Sequence, residues 1–269
     1  MKYKYTDYHI HTRWSHDIAK NGPSFEDYAI IAEKRKINIC FLDHYEFYYI
    51  ENDPNYPFYG IPIEDYLNEI DKIKQTYNNV LSGLEIDYYS EYKTEIQDFV
   101  DDYEKDFDFL AGTLHETDYG YPFTTRSKLI SLLEKKKIKQ ILDEFFILSK
   151  EMIESKIFKN ICHLDTIYRY INSNDLKPTY ECDLSDDRIL KLGRKCIKNN
   201  TRIEYNLSGI RYPIGRPFPS PHIIALLIKE GAEVFVGSDS HSVNYFSTQI
   251  NNVKKTINNL EAIRKGSCL

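Results

Sequence analysis

Seven short apolar runs are spread along this chain, and most of them finish in a histidine or a carboxylate. They are Tyr5–His11, Ile37–Asp43, Val80–Ile86, Phe107–His115, Ile157–His163, Arg202–Asn206 and Glu233–Asp239. Each is rich in Ile, Val, Phe or Tyr, and most have the length of a buried strand. Between them lie segments with helical spacing. In Ser24–Lys36 the residues Phe25, Tyr28, Ala29 and Ala32 repeat as one face of a helix, and Ser24 after Pro23 is placed to cap it. Ile63, Tyr66, Leu67, Ile70, Ile73 and Tyr77 trace a second stripe. Further helices are predicted in Glu91–Tyr103, Ser127–Ser155, Ser185–Asn199, Ser220–Gly231 and Tyr245–Lys265.

Strand and helix therefore alternate about seven times, the pattern of a parallel sheet covered by helices. No Pro/Gly/Ser-rich linker or internal repeat divides the 269 residues, so one α/β domain over 1–269 is predicted. Closure into a barrel suits so many units, although an open doubly wound sheet has the same periodicity. The 42% hydrophobic content is enough for a buried core. The formal charge of -6 disfavours a broad nucleic-acid groove, which needs clustered basic residues. It leaves room for a small anion wherever a few arginines or metal ions converge. There is no signal-peptide core and no apolar stretch of membrane-spanning length, so no membrane is predicted. Cys40, Cys162, Cys182, Cys196 and Cys268 contain no C-x-x-C pair, which suits reduced thiols in a cytoplasm.

The strand ends carry the chemistry. His9-Ile10-His11 closes the first run, Asp43-His44 the second, Glu85 the third, His115 the fourth, His163 the fifth and Asp239-Ser240-His241 the last. In a parallel barrel these ends open on one face, so residues distant in sequence meet there. With His16, seven of the eight histidines belong to this set. His222, at a helix start, is read as structural. Side chains alternate along a strand, so both imidazoles of His-x-His point the same way, and two neutral imidazoles beside a carboxylate suit Zn²⁺ or another first-row divalent ion.

With these residues assembled, the chain resembles the PHP (polymerase and histidinol phosphatase) family, and within it the monofunctional histidinol-phosphate phosphatases. The resemblance rests on DYHIHTRWSHD, FLDHYEF, SGLEIDY, GTLHETD, ICHLDTIYRY, NLSGIRYPIGRPFPS and GSDSHS, in the family's order and over most of the chain. It implies a distorted (β/α)7 barrel with the active site at the C-terminal ends of the strands, holding two to three divalent ions of Zn, Mn or Fe. It further implies His9, His11, Glu85 and Asp239 at a first metal, Glu85 with His115 and His163 at a second, and His16, His44 and His241 at a third.

The activity so implied is hydrolysis of L-histidinol phosphate to L-histidinol and phosphate in histidine biosynthesis. A hydroxide bridging the metals would attack phosphorus in line. Asp17 matches the family's general acid, and that role requires a raised pKa. Arg169 and Arg211 resemble its phosphate-clamping arginines, since a guanidinium fork matches phosphate oxygens; Arg13, Arg126 and Arg216 are alternatives. The aromatic loop Tyr45–Tyr59 is read as a lid, a stacking wall for an imidazole ring, or rim packing. Glu46, Glu116 and Asp118 are candidates to receive a substrate amine or to orient the histidines. Two other readings are kept open: a family phosphoesterase acting on nucleotides or other small phosphate esters, and a metal-binding module without turnover. The partner is a small phosphate ester, and oligomeric state is not legible.

Overall fold

The computed structural model describes residues 1–170 and 186–266, so Cys182 and Cys268 lie outside the described residues. All seven runs contain a strand: β1 (Thr6–Ile10), β2 (Asn38–Phe41) with β3 (Asp43–Tyr45), β4 (Val80–Leu81) with β5 (Gly83–Asp87), β6 (Phe109–Thr113), β7 (Asn160–Ile161), β8 (Arg202–Asn206) and β9 (Val234–Gly237). The second and third runs are thus each broken once, at Leu42 and Ser82. The helices are α1 (Phe25–Arg35), α2 (Phe47–Asn52), α3 (Ile63–Thr76), α4 (Lys93–Tyr103), α5 (Arg126–Lys135), α6 (Ile138–Ser155), α7 (Asp186–Lys198), α8 (Pro221–Lys229) and α9 (Val243–Arg264).

Two compact units emerge, the first formed by Met1–Asp87, Glu91–Ala111 and Phe235–Leu269, the second by Tyr88–Ser90 and Gly112–Val234. In the first unit, β1 pairs with β2, β2 with β4 and β3 with β5, all parallel. Phe109 donates to the Ser82 carbonyl (3.1 Å), which ties the start of β6 to the same ladder. Beyond the end of β9, Asp239 donates to the His9 carbonyl (2.9 Å) and Ser240 bridges Ile10 in parallel. In the second unit, the end of β6 pairs with β7 through Gly112 and Ile161, and β7 with β8. Ile203 donates to the Glu233 carbonyl at 2.9 Å, just before β9. Every named strand pairing is parallel, the α/β fold that the strand–helix alternation predicts.

The α1 stripe is buried as its spacing requires, with Phe25, Tyr28, Ala29 and Ala32 all inside. Ser24 accepts from the Asp27 amide while the Asp27 carboxylate accepts from Ser24, a capping box. One prediction needs correction. Ser127–Ser155 is two helices rather than one: Lys136 and Lys137 are extended, Lys136 is held by Asp118 and Glu144, and Gln140 caps the amide of Lys137. The aromatic segment Tyr45–Tyr59 contains the short helix α2, and its Tyr56 and Phe58 are buried. Gly83 sits where β5 is squeezed between neighbouring backbones: a Cβ there would lie 2.4 Å from the Phe109 carbonyl and 2.8 Å from that of Phe41.

Candidate metal centre

β1 places Asp7 and His9 on one face, because alternate residues share a side of a strand, and His11 follows one residue past its end. The register of β3 against β5 sets His44 directly opposite Glu85. Asp239 follows β9 in a left-handed conformation (φ 55°), an uncommon backbone state for a non-glycine residue, and it hangs on the His9 carbonyl.

These placements gather ring nitrogens of the first unit around two carboxylate oxygens. Glu85 Oε2 lies 3.2 Å from His9 Nε2, 3.3 Å from His44 Nδ1 and 3.8 Å from His11 Nε2. Asp239 Oδ1 lies 3.3 Å from His11 Nε2, 3.4 Å from His241 Nδ1 and 3.9 Å from His9 Nε2. His9, His11 and Asp239 form one group whose ligand atoms lie within 4.8 Å of each other, and His11, His44 and His241 form another. The donor set suits a divalent ion. His11 Nε2 is buried without a hydrogen bond, while Nδ1 of the same ring contacts Ser15 Oγ at 3.0 Å. Burial first, and then the neighbouring His241 and His44, hold His11 well below the usual imidazole pKa, in the neutral form that donates a lone pair. Burial pushes Asp239 up, but His9, His11 and His241 outweigh it and keep the carboxylate ionised.

At the edge of this cluster, Asp17 Oδ2 meets His241 Nε2 at 2.9 Å and its Oδ1 stands 3.8 Å from His44 Nε2. Desolvation raises the Asp17 pKa, yet His241, His44 and His16 together hold it well below the usual carboxylate range. Asp17 is therefore ionised in this arrangement, the opposite of the raised pKa that an acid requires. His16 Nδ1 is 2.9 Å from Glu46 Oε2. Desolvation opposes protonation of His16, but the Glu46 charge and hydrogen bond prevail and its pKa rises to about 9. Glu46 is thus an orienter of His16. Tyr56 donates to the His44 carbonyl (2.8 Å) and accepts the Glu46 amide (3.0 Å), so the aromatic segment is anchored beneath this loop.

In the second unit, His115 Nε2 and His163 Nε2 approach to 3.4 Å. Arg169 and Arg211 share one ring: their guanidinium carbons lie 4.4 and 5.6 Å from the centroid of Tyr212. Arg169 is buried, and its Nε has no hydrogen-bond partner. Two of the alternatives are otherwise engaged, Arg216 with buried Asp165 at 2.8 Å and Arg13 with Glu69 at 2.6 Å. Glu116 accepts from the Tyr89 hydroxyl and the Gly120 amide, and Asp118 pairs with Lys136. His222 is exposed in the first turn of α8. Three contributors escaped sequence reasoning: Asp7, Ser15 and Tyr212. The period-2 pattern Asp7, His9, His11 was a usable signal for the first of these.

The PHP domain family matches residues 7–208, well over half of the chain. This chain belongs to the PHP domain family. The histidinol-phosphatase of Lactococcus lactis is 23% identical to this PHP protein, over 88% of its chain and 84% of the relative. A probable histidinol-phosphatase of Clostridium acetobutylicum is 26% identical, over 94% and 92% respectively. Among solved structures, a putative histidinol phosphatase of Listeria monocytogenes superposes with a TM-score of 0.73 at 16% identity, covering 92% of this chain and 99% of that one. The Lactococcus lactis histidinol phosphate phosphatase, solved with zinc, L-histidinol and phosphate, gives 0.67 at 20% identity over 93% and 94%. The PHP protein therefore has the fold of those structures. No helix among the described residues is long and apolar enough to cross a membrane.

Proposed function

We propose that this PHP protein is a metal-dependent phosphomonoesterase that hydrolyses L-histidinol phosphate to L-histidinol and phosphate, a step of histidine biosynthesis. One observation carries the reading: buried imidazole nitrogens converge on Glu85 Oε2 and Asp239 Oδ1, an arrangement with no purpose in a plain core. The names of the relatives supply the substrate, and the match over most of both chains supports carrying it across.

His9, His11, Glu85 and Asp239 would hold one ion and His16, His44 and His241 another, with His115 and His163 assigned to a further ion by the family pattern. Bound Zn, Mn or Fe would supply Lewis acidity and lower the pKa of a water toward ~7. The chain's own residues do the rest. Arg169 and Arg211 hold the phosphate oxygens, and the Tyr212 ring behind both fixes their planes. Asp17 delivers a proton to the leaving oxygen. Its carboxyl is ionised beside His241, so it takes up a proton from solvent when the phosphate dianion binds and raises its pKa, and passes that proton to the leaving oxygen.

The test is turnover of histidinol phosphate by the purified chain before chelation, after chelation and after reloading with each metal. Activity lost on chelation and restored by metal is the expected result, with kcat/KM for histidinol phosphate above that for nucleotide monophosphates. Full activity in the stripped protein would overturn the reading.

A further inference from the structure

Ser15 and Asp43 stand outside the ligand set, yet both are completely buried against it. Asp43 Oδ1 accepts from the Thr12 amide (2.5 Å) and from Ser15 Oγ (2.8 Å). Its Oδ2 accepts from Thr12 Oγ1 (2.9 Å) and faces the Tyr66 hydroxyl at 3.2 Å. Ser15 Oγ also receives the His44 amide (3.2 Å) and lies 3.0 Å from His11 Nδ1.

Proton bookkeeping decides the direction of that last contact. A hydroxyl has one proton to give and two lone pairs to receive with. Both carboxyl oxygens of Asp43 already receive donors from Thr12, and the 2.8 Å contact takes the single proton of Ser15. The lone pairs of Ser15 Oγ then face the His44 N–H and His11 Nδ1. A bare lone pair on Nδ1 would be repelled at 3.0 Å, so Nδ1 carries the ring proton. The lone pair of His11 is thereby left on Nε2, 3.3 Å from Asp239 Oδ1, where a cation held between the two atoms would satisfy both.

We infer that Asp43 is a positioning residue which, through the Ser15 hydroxyl, locks His11 in the Nδ1–H tautomer and aims its Nε2 lone pair at the metal position. The inference rests on the reading of His11 as a metal ligand. Carboxylate partners of ligating imidazoles are a general device for fixing tautomer and basicity. Here the carboxylate acts at one remove. A single hydroxyl relays it to the His11 ring, and the same hydroxyl accepts the amide of a second candidate ligand, His44. One contact set thus constrains both.

Two measurements on the full chain test this. In zinc-loaded, ¹⁵N-histidine-labelled protein, long-range proton–nitrogen spectra report which nitrogen of His11 is protonated. Zinc affinity is read by competition with a chromophoric chelator, and circular dichroism melts report folding. The wild-type chain should show Nδ1–H at His11. Ser15→Ala should mix the tautomers and weaken zinc binding by about 10- to 100-fold, and Ser15→Thr, which restores the hydroxyl, should recover it. Asp43→Asn places an amide that can donate to Ser15, turns the hydroxyl proton toward His11 Nδ1 and should shift the ring toward Nε2–H. An Nε2–H ring in the wild type, or unchanged zinc affinity in a folded Ser15→Ala protein, would overturn the relay. Failure of the wild-type chain to bind zinc overturns the metal reading instead, and the relay that rests on it.

Discussion

Burial imposes opposite conditions on two side chains in and just beyond β1. His11 becomes harder to protonate, which frees a lone pair. Asp7 becomes easier to protonate: burial outweighs its bonds from the Ser238 and His9 amides and lifts its pKa to about 6. Its Oδ2 has no hydrogen-bond partner. An acid whose folded pKa is raised contributes stability that is present below its unfolded pKa of 3.8 and lost as pH rises through about 6. In metal-free protein, denaturant unfolding should therefore show Asp7 costing about 2 kcal/mol between pH 4 and 7, and Asp7→Asn should flatten that slope. Asp17→Asn should lower kcat while metal content by elemental analysis stays intact; loss of metal would make Asp17 a ligand. Glu85→Ala should lose bound metal and turnover together, since Glu85 Oε2 meets three imidazoles. The histidines were legible because they are few and sit at the ends of apolar runs. Ser15 and Tyr212 were not, because serine and tyrosine are common and their roles come from residues distant in the chain.

Elements were legible wherever one period persisted. The α1 stripe and its cap came straight from spacing and side-chain chemistry, and so did the existence of a strand in each apolar run. Breaks were harder to see. The interruptions at Leu42 and Ser82, and the division of the 127–155 segment, carry no proline or glycine at the break itself. The helix division depends on Lys136 reaching Asp118 and Glu144, which are 18 and 8 residues away. Gly83, one residue past an interruption, tests how tight that corner is. Gly83→Ala forces a methyl group against backbone on both sides and should destabilise the protein by about 1–3 kcal/mol in chemical denaturation, with no change expected in the helical signal of the folded state.

At the scale of the whole molecule, metal and fold are linked, because a ligand that binds only the folded chain stabilises it. Chelation should lower the thermal midpoint of the wild-type protein, and reloading should restore it; the same chelation should move a Glu85→Ala protein less. Amino-acid order by itself determined the alternation of strands and helices, the parallel α/β class and the identity of the titratable residues at the strand ends, since these follow from periodicity and from the scarcity of histidine. Only the tertiary structure decided which nitrogen faces which oxygen. Parallel register set His44 against Glu85, the left-handed turn at Asp239 delivered its carboxylate to His11, and the packing of Ser15 on Asp43 selected one face of a ring that has two. Tautomer and charge depend on distances of a few tenths of an ångström between residues far apart in sequence, and a local pattern holds no such distance.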